Sequence, residues 1–121
     1  MAATLIVFIK RRPGMEPEAF SRYWREVHAP LLLACHDFSR HILRYEQFHG
    51  TDRTSALGAM FGASGEFDGV AVITFIDSGA LEKAFAEPRY LSDVRPDEAH
   101  FVDLDNCLSF IGNPELIKGR N

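Results

Sequence analysis

Cysteine and long apolar runs are both scarce in this sequence. Only Cys35 and Cys107 occur among its 121 residues. They are too few for a disulfide framework, and each lies in an apolar stretch where a free thiol packs as a small hydrophobe. No segment approaches the ~20 apolar residues that a membrane-spanning helix needs. The apolar residues 5–9 precede the basic residues 10–12, the reverse of the order in a secretory signal. We therefore expect a cytoplasmic protein with no membrane partner.

Basic charge and the common cofactor motifs are also missing. The net charge is −4, so the chain is not suited to neutralise a phosphate backbone, and we expect no nucleic-acid partner. The glycines between residues 58 and 69 lack the Lys-Ser/Thr pair of a phosphate-binding loop, and no Ser or Cys stands in a nucleophile motif. The histidines and cysteines show no HxH, HxxE or CxxC spacing. We predict no metal and no cofactor. The histidines are His28, His36, His41, His49 and His100.

Apolar runs and amphipathic segments alternate along the chain, whose length fits one domain over residues 1–121. Four segments are β-branched, aromatic or alternating and predict strands. Their order with two helical segments is β-α-β-β-α-β, which predicts an α+β, ferredoxin-like fold with a four-stranded antiparallel sheet. In that topology the first and third strands lie in the centre. The predicted strands are residues 4–10, 41–49, 70–76 and 101–111.

Prolines and polar residues predict where the helices begin and end. Apolar residues spaced by three and four indicate a helix that starts at Pro17 and kinks or ends near Pro30. A second helix is expected to be capped by Asp77 or Ser78 and ended by Pro88, with short helical turns after it. Residues 50–66 are predicted to form a long irregular loop, of the kind that often serves as a lid.

The two central strands are apolar on both faces. Residues 5–9 and 70–76 place large aliphatic or aromatic side chains on either side of the sheet, whereas a face exposed to water should carry polar residues. Two helices can cover only one of these faces. We therefore predict a homodimer in which two sheets meet face to face as a dimeric α+β barrel. The alternative is that loops or the C-terminal tail cover the second face.

Several motifs, spread over nearly the whole chain, resemble the EthD family. Residues 17–31 resemble its first helix, roughly "eeF..yW...Hapl", and residues 67–71 resemble its "yDGva" strand. The resemblance implies a dimeric ferredoxin-like barrel. It also implies an accessory or catalytic protein of small-molecule oxidative metabolism, a family named for ether degradation with other members acting on aromatic polyketides. The remaining matching positions are 11–14, Tyr45, 97–98 and 101–103.

His28 is the best single candidate for catalysis. It follows Trp24 by four residues, so both side chains project from the same helical stripe, and histidine serves as a general acid or base near neutral pH. The family motif supports this interpretation. The alternative is a half-buried histidine bonded to a backbone carbonyl near Pro30. Asp97 is the candidate partner that orients a histidine, or else it caps a short helix.

An apolar cavity between the helices and the sheet is the expected binding site for a small apolar or aromatic ligand. Tyr45 is the expected polar contact, because a buried hydroxyl needs a hydrogen-bond partner. The alternative for the aromatic residues is that they belong to the core, and for His100 that it packs at the surface. The substrate-binding candidates are Trp24, Phe20, Tyr45, Phe8, Phe75 and His100.

These features favour a cofactor-independent enzyme in which His28 transfers a proton during oxidation, dehydration or isomerisation, that is, an oxidoreductase, a lyase or an isomerase. The alternative is a non-catalytic protein that binds a hydrophobic metabolite or supports an oxygenase. Haem binding, which the same barrel architecture supports elsewhere, is a third hypothesis, and a protein without a Soret band after haem is added would dismiss it.

Overall fold

A four-stranded antiparallel sheet forms the centre of the part of the chain that the computed structural model describes, which is residues 1–50, 60 and 67–119. The order across the sheet is β2-β3-β1-β4, and every pairing is antiparallel. The prediction of a ferredoxin-like α+β fold with the first and third strands in the centre is confirmed. Most of the predicted loop over residues 50–66 lies outside the described residues. The strands are β1 (Ala3–Ile9), β2 (Ile42–His49), β3 (Gly69–Phe75) and β4 (Leu108–Gly112).

The first helical segment contains a π-turn in its middle. Helix α1 (Pro17–Tyr23) continues through the π-turn (Trp24–His28) into α2 (Ala29–Ala34), and α3 (His36–Ser39) follows. The Ala29 N–H donates to the Trp24 carbonyl, five residues back. A regular α-helix would bring the ring of Pro30 against the carbonyl of the preceding turn, and the wider turn relieves that contact. Pro30 therefore distorts the helix just before itself and does not end it.

The second helical segment begins at the predicted cap. Helix α4 (Ser78–Ala86) starts where the Asp77 carboxylate accepts a hydrogen bond from the Ala80 N–H at 2.7 Å. A second π-turn (Tyr90–Val94) leads into α5 (Arg95–Glu98). Among the described residues, no helix combines the length and the apolar composition that a membrane span requires.

The fourth strand is shorter than predicted. Residues 101–107 contain a 3-10 turn (Leu104–Asn106) and a single β-bridge between Val102 and Arg11. Within that turn the Asn106 backbone and side-chain amides both donate to Asp103. Such local bonds compete with a strand ladder, so regular pairing begins only at Leu108.

The Asp-Gly pair at the start of β3 has a structural role. Asp68 is buried and accepts hydrogen bonds from the Arg11 N–H at 2.7 Å and the Arg11 guanidinium at 2.6 Å. Gly69 lies against the Trp24 ring, where an added Cβ would come within 2.5 Å of the ring carbon Cζ3. The glycine therefore makes room for the indole that precedes His28 in the π-turn.

We expect Gly69→Ala to lower the free energy of unfolding by about 1–3 kcal/mol, because the new methyl group must displace a buried indole. Thermal denaturation followed by circular dichroism measures the change. Gly79→Ala is the matched control, because there a Cβ would meet only the Asp77 carboxylate at 3.4 Å. A Gly69→Ala protein as stable as the Gly79→Ala protein would contradict the close contact.

The two faces of the sheet have different surroundings. Leu5, Ile73 and Phe75 point to the helices and belong to a buried core with Phe38 and Tyr90. The opposite side, called here the open face, carries large apolar side chains that remain accessible, among them Phe48 at 55%, Leu108 at 60% and Phe110 at 62% exposure. Strand alternation and register place the following apolar residues on the open face: Ile6, Phe8, Phe48, Val70, Val72, Leu108 and Phe110.

Candidate active site

A cavity of about 430 Å³ lies between the sheet and the helices. Its walls are mostly apolar, with a few polar side chains from the helices and from β2, which is the usual composition of a small-molecule site. The polar or ionisable side chains of the wall are His28, Tyr45, Tyr90, Arg95, Glu98, Cys107 and Ser109, and the apolar residues include Leu5, Val7, Trp24, Leu32, Ile73 and Phe101.

His28 extends from the π-turn into the cavity wall, and Asp97 contacts the side of its ring that faces away from the cavity. The His28 Nδ1 atom lies 3.0 Å from Asp97 Oδ2, and the two side chains are only 8% and 13% exposed. An ionised carboxylate can only accept, so this contact places a proton on Nδ1, and in the neutral imidazole the lone pair is then on Nε2. Within the described residues Nε2 has no hydrogen-bond partner, so it is available to a ligand in the cavity.

Tyr23 completes a three-residue network around Asp97. Its hydroxyl donates to Asp97 Oδ1 at 2.5 Å, on the carboxylate oxygen that His28 does not use. Burial, followed by the hydrogen bond to Asp97 and the charge of Asp97, raises the pKa of Tyr23 to about 12. Tyr23 thus remains a hydrogen-bond donor near neutral pH. Of the two interpretations of Asp97, the structure shows its side chain bonded to Tyr23 and His28, and it shows no side-chain cap at the start of α5.

A second polar group lies on the cavity wall next to this network. Glu98 accepts hydrogen bonds from the Tyr90 hydroxyl at 2.8 Å and from the Arg95 guanidinium at 2.7 Å. Burial and the neighbouring Glu98 charge raise the pKa of Tyr90. None of these three residues was selected as a site candidate from the sequence, because an acidic residue and an arginine three positions apart are common on exposed helices.

The predicted binding residues fall into two groups. Trp24 and Tyr45 line the cavity with His28, whereas the other four candidates do not. Phe20 packs beneath the wall against Trp24 and Phe101, with ring centroids 5.7 Å apart in both contacts, and Phe75 is part of the core.

Phe8 and His100 lie further away. Phe8 is on the open face, because Val7 and Ile9, its neighbours in β1, take the side toward the helices. His100 is exposed, with its ring 6.4 Å from the Tyr23 ring. Among the described residues, no three His, Cys, Asp or Glu side chains converge as metal ligands would.

The structure is that of a ferredoxin-like α+β protein with a mostly apolar cavity between its helices and its sheet. The chain belongs to the EthD family, because the model of the EthD domain matches residues 12–105. The resemblance seen in the sequence is thereby confirmed.

Relatives and solved structures agree with this assignment. A protein of Metarhizium robertsii named conidial pigment biosynthesis dehydratase EthD is 26% identical over 107 residues, which cover 84% of this chain and 75% of that protein. An EthD family protein of Bacillus halodurans has the same fold, with a TM-score of 0.66 and 18% identity over 95% of this chain and 100% of that one. SnoaB of Streptomyces nogalater, described as a cofactor-independent oxygenase, has a TM-score of 0.60 and 13% identity over 95% and 94% of the two chains.

Proposed function

We propose that this protein is a cofactor-independent dehydratase of small-molecule metabolism, with His28 as its general acid and base. The observation that carries the proposal is the His28–Asp97 contact at the wall of an apolar cavity. Asp97 holds the Nδ1 proton, so Nε2 acts as the base. The relative named a dehydratase favours dehydration over the oxidation and isomerisation that the sequence also allowed.

The chemistry that fits this site is loss of water from a β-hydroxy ketone. His28 Nε2 removes a proton from the carbon between the carbonyl and the hydroxyl-bearing carbon, and an enolate forms. The C–O bond to the hydroxyl then breaks, a C=C bond forms, and the imidazolium returns its proton to the leaving oxygen as water. Since no electrons are gained or lost overall, the reaction needs no redox partner. Asp97 stabilises the imidazolium while it exists.

The test uses 3-hydroxy-1-tetralone, a two-ring ketone whose loss of water gives 1-naphthol. We expect the purified protein to release 1-naphthol faster than buffer does, measured by liquid chromatography with mass detection. A protein that binds 1-tetralone but does not accelerate this reaction would instead support the alternative, a non-catalytic binding protein. Mass spectrometry of any metabolite that co-purifies would then identify the natural ligand class.

We also propose that the protein is a homodimer joined through the open face. The exposed phenylalanines and leucine on that face are each worth ~1.5–3 kcal/mol when buried, and a twofold axis would let the same apolar surface cover itself. The described helices pack on the other side of the sheet, with the core residues of β1 and β3.

We expect Phe110→Arg to weaken the dimer by at least about tenfold, because it places a charge on the apolar face that the proposed interface would bury. Sedimentation velocity over a concentration series measures the association. Leu33→Arg is the control, since Leu33 is 47% exposed on α2, away from the open face. A wild-type protein that stays monomeric at high concentration would overturn the dimer proposal.

A further inference from the structure

A chain of hydrogen bonds runs along β2 to the Tyr45 hydroxyl. Tyr45, Gln47 and His49 alternate along the strand and pair with Ile73, Ala71 and Gly69, so their side chains all point to the helices. The Gln47 side-chain nitrogen lies 2.9 Å from Tyr45 Oη and 3.2 Å from the Trp24 carbonyl oxygen. The Gln47 side-chain oxygen lies 2.9 Å from His49 Nε2.

The direction of these hydrogen bonds follows from the Trp24 carbonyl. A carbonyl oxygen can only accept, so the Gln47 NH₂ group must face it, and the amide cannot be turned the other way. The amide oxygen then faces His49 and accepts a hydrogen bond from its Nε2–H group. The second N–H of Gln47 donates to Tyr45 Oη, so the Tyr45 oxygen is an acceptor in this chain.

The Tyr45 hydroxyl proton is therefore not used in this chain of hydrogen bonds, and the Tyr45 side chain lines the cavity. Within residues 1–50, 60 and 67–119, no oxygen or nitrogen atom accepts it. Burial raises the pKa of Tyr45, and the negative charge of Glu98 raises it further, whereas the hydrogen bonds that the Gln47 NH₂ group and the Trp24 indole N–H donate to its oxygen lower it. Tyr90, the other tyrosine on this wall, differs because its proton is already donated to Glu98.

We propose that the Tyr45 hydroxyl donates a hydrogen bond to an acceptor oxygen of the substrate, a ketone oxygen in particular, and that Gln47 is the positioning residue that aims it. The inference rests on the proposed function in that the cavity is the substrate site. It adds a hydrogen-bond donor to the proposed base of that site, because His28 presents a lone pair to the cavity and Tyr45 presents a hydroxyl proton. An oxygen bound to Tyr45 gains negative charge when a base takes the neighbouring proton, and the hydrogen bond strengthens as it does so.

The experiment compares two unreactive probes that differ only at the acceptor. These are 1-tetralone and 1-methylenetetralin, in which a C=CH₂ group replaces the ketone. Calorimetric titration is expected to show that the wild-type protein binds the ketone about tenfold more tightly, the size of one buried neutral hydrogen bond. Tyr45→Phe is expected to abolish this preference, and Gln47→Met to reduce it. Tyr90→Phe is the matched control and should leave the preference unchanged.

Infrared spectroscopy of carbonyl-labelled 1-tetralone measures the C=O stretching frequency of the bound ketone. This frequency would not change if Tyr45 only stabilised the fold. In the wild-type complex the C=O stretch is expected at a lower frequency than in an apolar solvent, and in Tyr45→Phe it should return toward the solvent value. Gln47→Met should broaden or shift the band. If a variant does not fold, an unshifted band in the wild-type complex still contradicts the donor role of Tyr45.

Three results would overturn the inference. Equal affinity for the two probes, or an unshifted wild-type band, would remove Tyr45 as a donor while leaving the cavity as the substrate site. An unchanged preference and band in Gln47→Met would remove Gln47 as the positioning residue. Failure of both probes to bind would remove this inference together with the cavity assignment. Conversely, a Tyr45-dependent ketone preference in a protein without dehydratase activity would support the inference and overturn the proposed reaction.

Discussion

His28→Ala is expected to lower the rate of water loss from 3-hydroxy-1-tetralone by ~10²–10⁴-fold, the usual contribution of a positioned general acid or base. The variant removes the imidazole that contacts Asp97 and lines the cavity, so the proposed acceptor of the carbon-bound proton is lost. Initial rates of 1-naphthol formation measure the effect. His28 does not lie on the open face, so we expect the proposed dimer to form in the variant as it does in the wild type.

Two further variants separate the loss of a base from the loss of stability. His28→Gln keeps an amide that can donate to buried Asp97 but provides no base, so it should fold as the wild type does and remain inactive. His36→Ala alters an exposed histidine on α3 and should retain full activity. Turnover that survives in folded His28→Gln would remove His28 from the mechanism.

Asp97→Asn is expected to lower kcat by about 10–10³-fold with little change in KM. The amide carries no charge to stabilise the imidazolium, and its NH₂ group can face Nδ1 and force the proton onto Nε2, which removes the base. KM should stay near its wild-type value because Asp97 lies behind His28 and does not line the cavity. Steady-state kinetics on the same substrate provide both constants.

Tyr23→Phe is the matched control for this prediction. It removes the hydrogen bond to Asp97 Oδ1 but leaves the His28 contact on Oδ2. We expect kcat to fall by no more than about threefold, because the hydrogen bond that is lost does not touch the reacting atoms and the His28 contact is kept. An equal loss of activity in the two variants would mean that the network acts by stabilising the fold and does not set the tautomer of His28.

The fold could be predicted from the sequence because its signals are local. The apolar runs of β1 and β3, the proline at the start of α1 and the Asp77 cap each act over a few residues, and their order leaves one common topology. The first half of the fourth predicted strand was wrong for the same reason. Asp103 and Asn106 form a turn through local bonds, which the alternating pattern of residues 101–111 did not reveal.

The site could be predicted only in part because it depends on which faces meet. His28 and Trp24 were selected from helical spacing, and Asp97 was selected as a partner or a cap, but no spacing rule brings residues 28 and 97 within 3.0 Å. Phe8 is a second example, because its position relative to the cavity could not be predicted either. Strand alternation separates Phe8 from Val7 and Ile9, yet it does not say which set faces the helices. The direction of the Gln47 amide depends on the Trp24 carbonyl, a contact between α1–π-turn and β2 that no local pattern encodes.

Trp24 is the single tryptophan of the chain, and its indole forms part of the cavity wall, pressed between Gly69 and the His49 ring. All tryptophan emission from this protein therefore originates at the proposed binding site. An aromatic molecule that enters the cavity should quench or shift that emission, so a library of unlabelled metabolites can be screened by intrinsic fluorescence before any reaction is known.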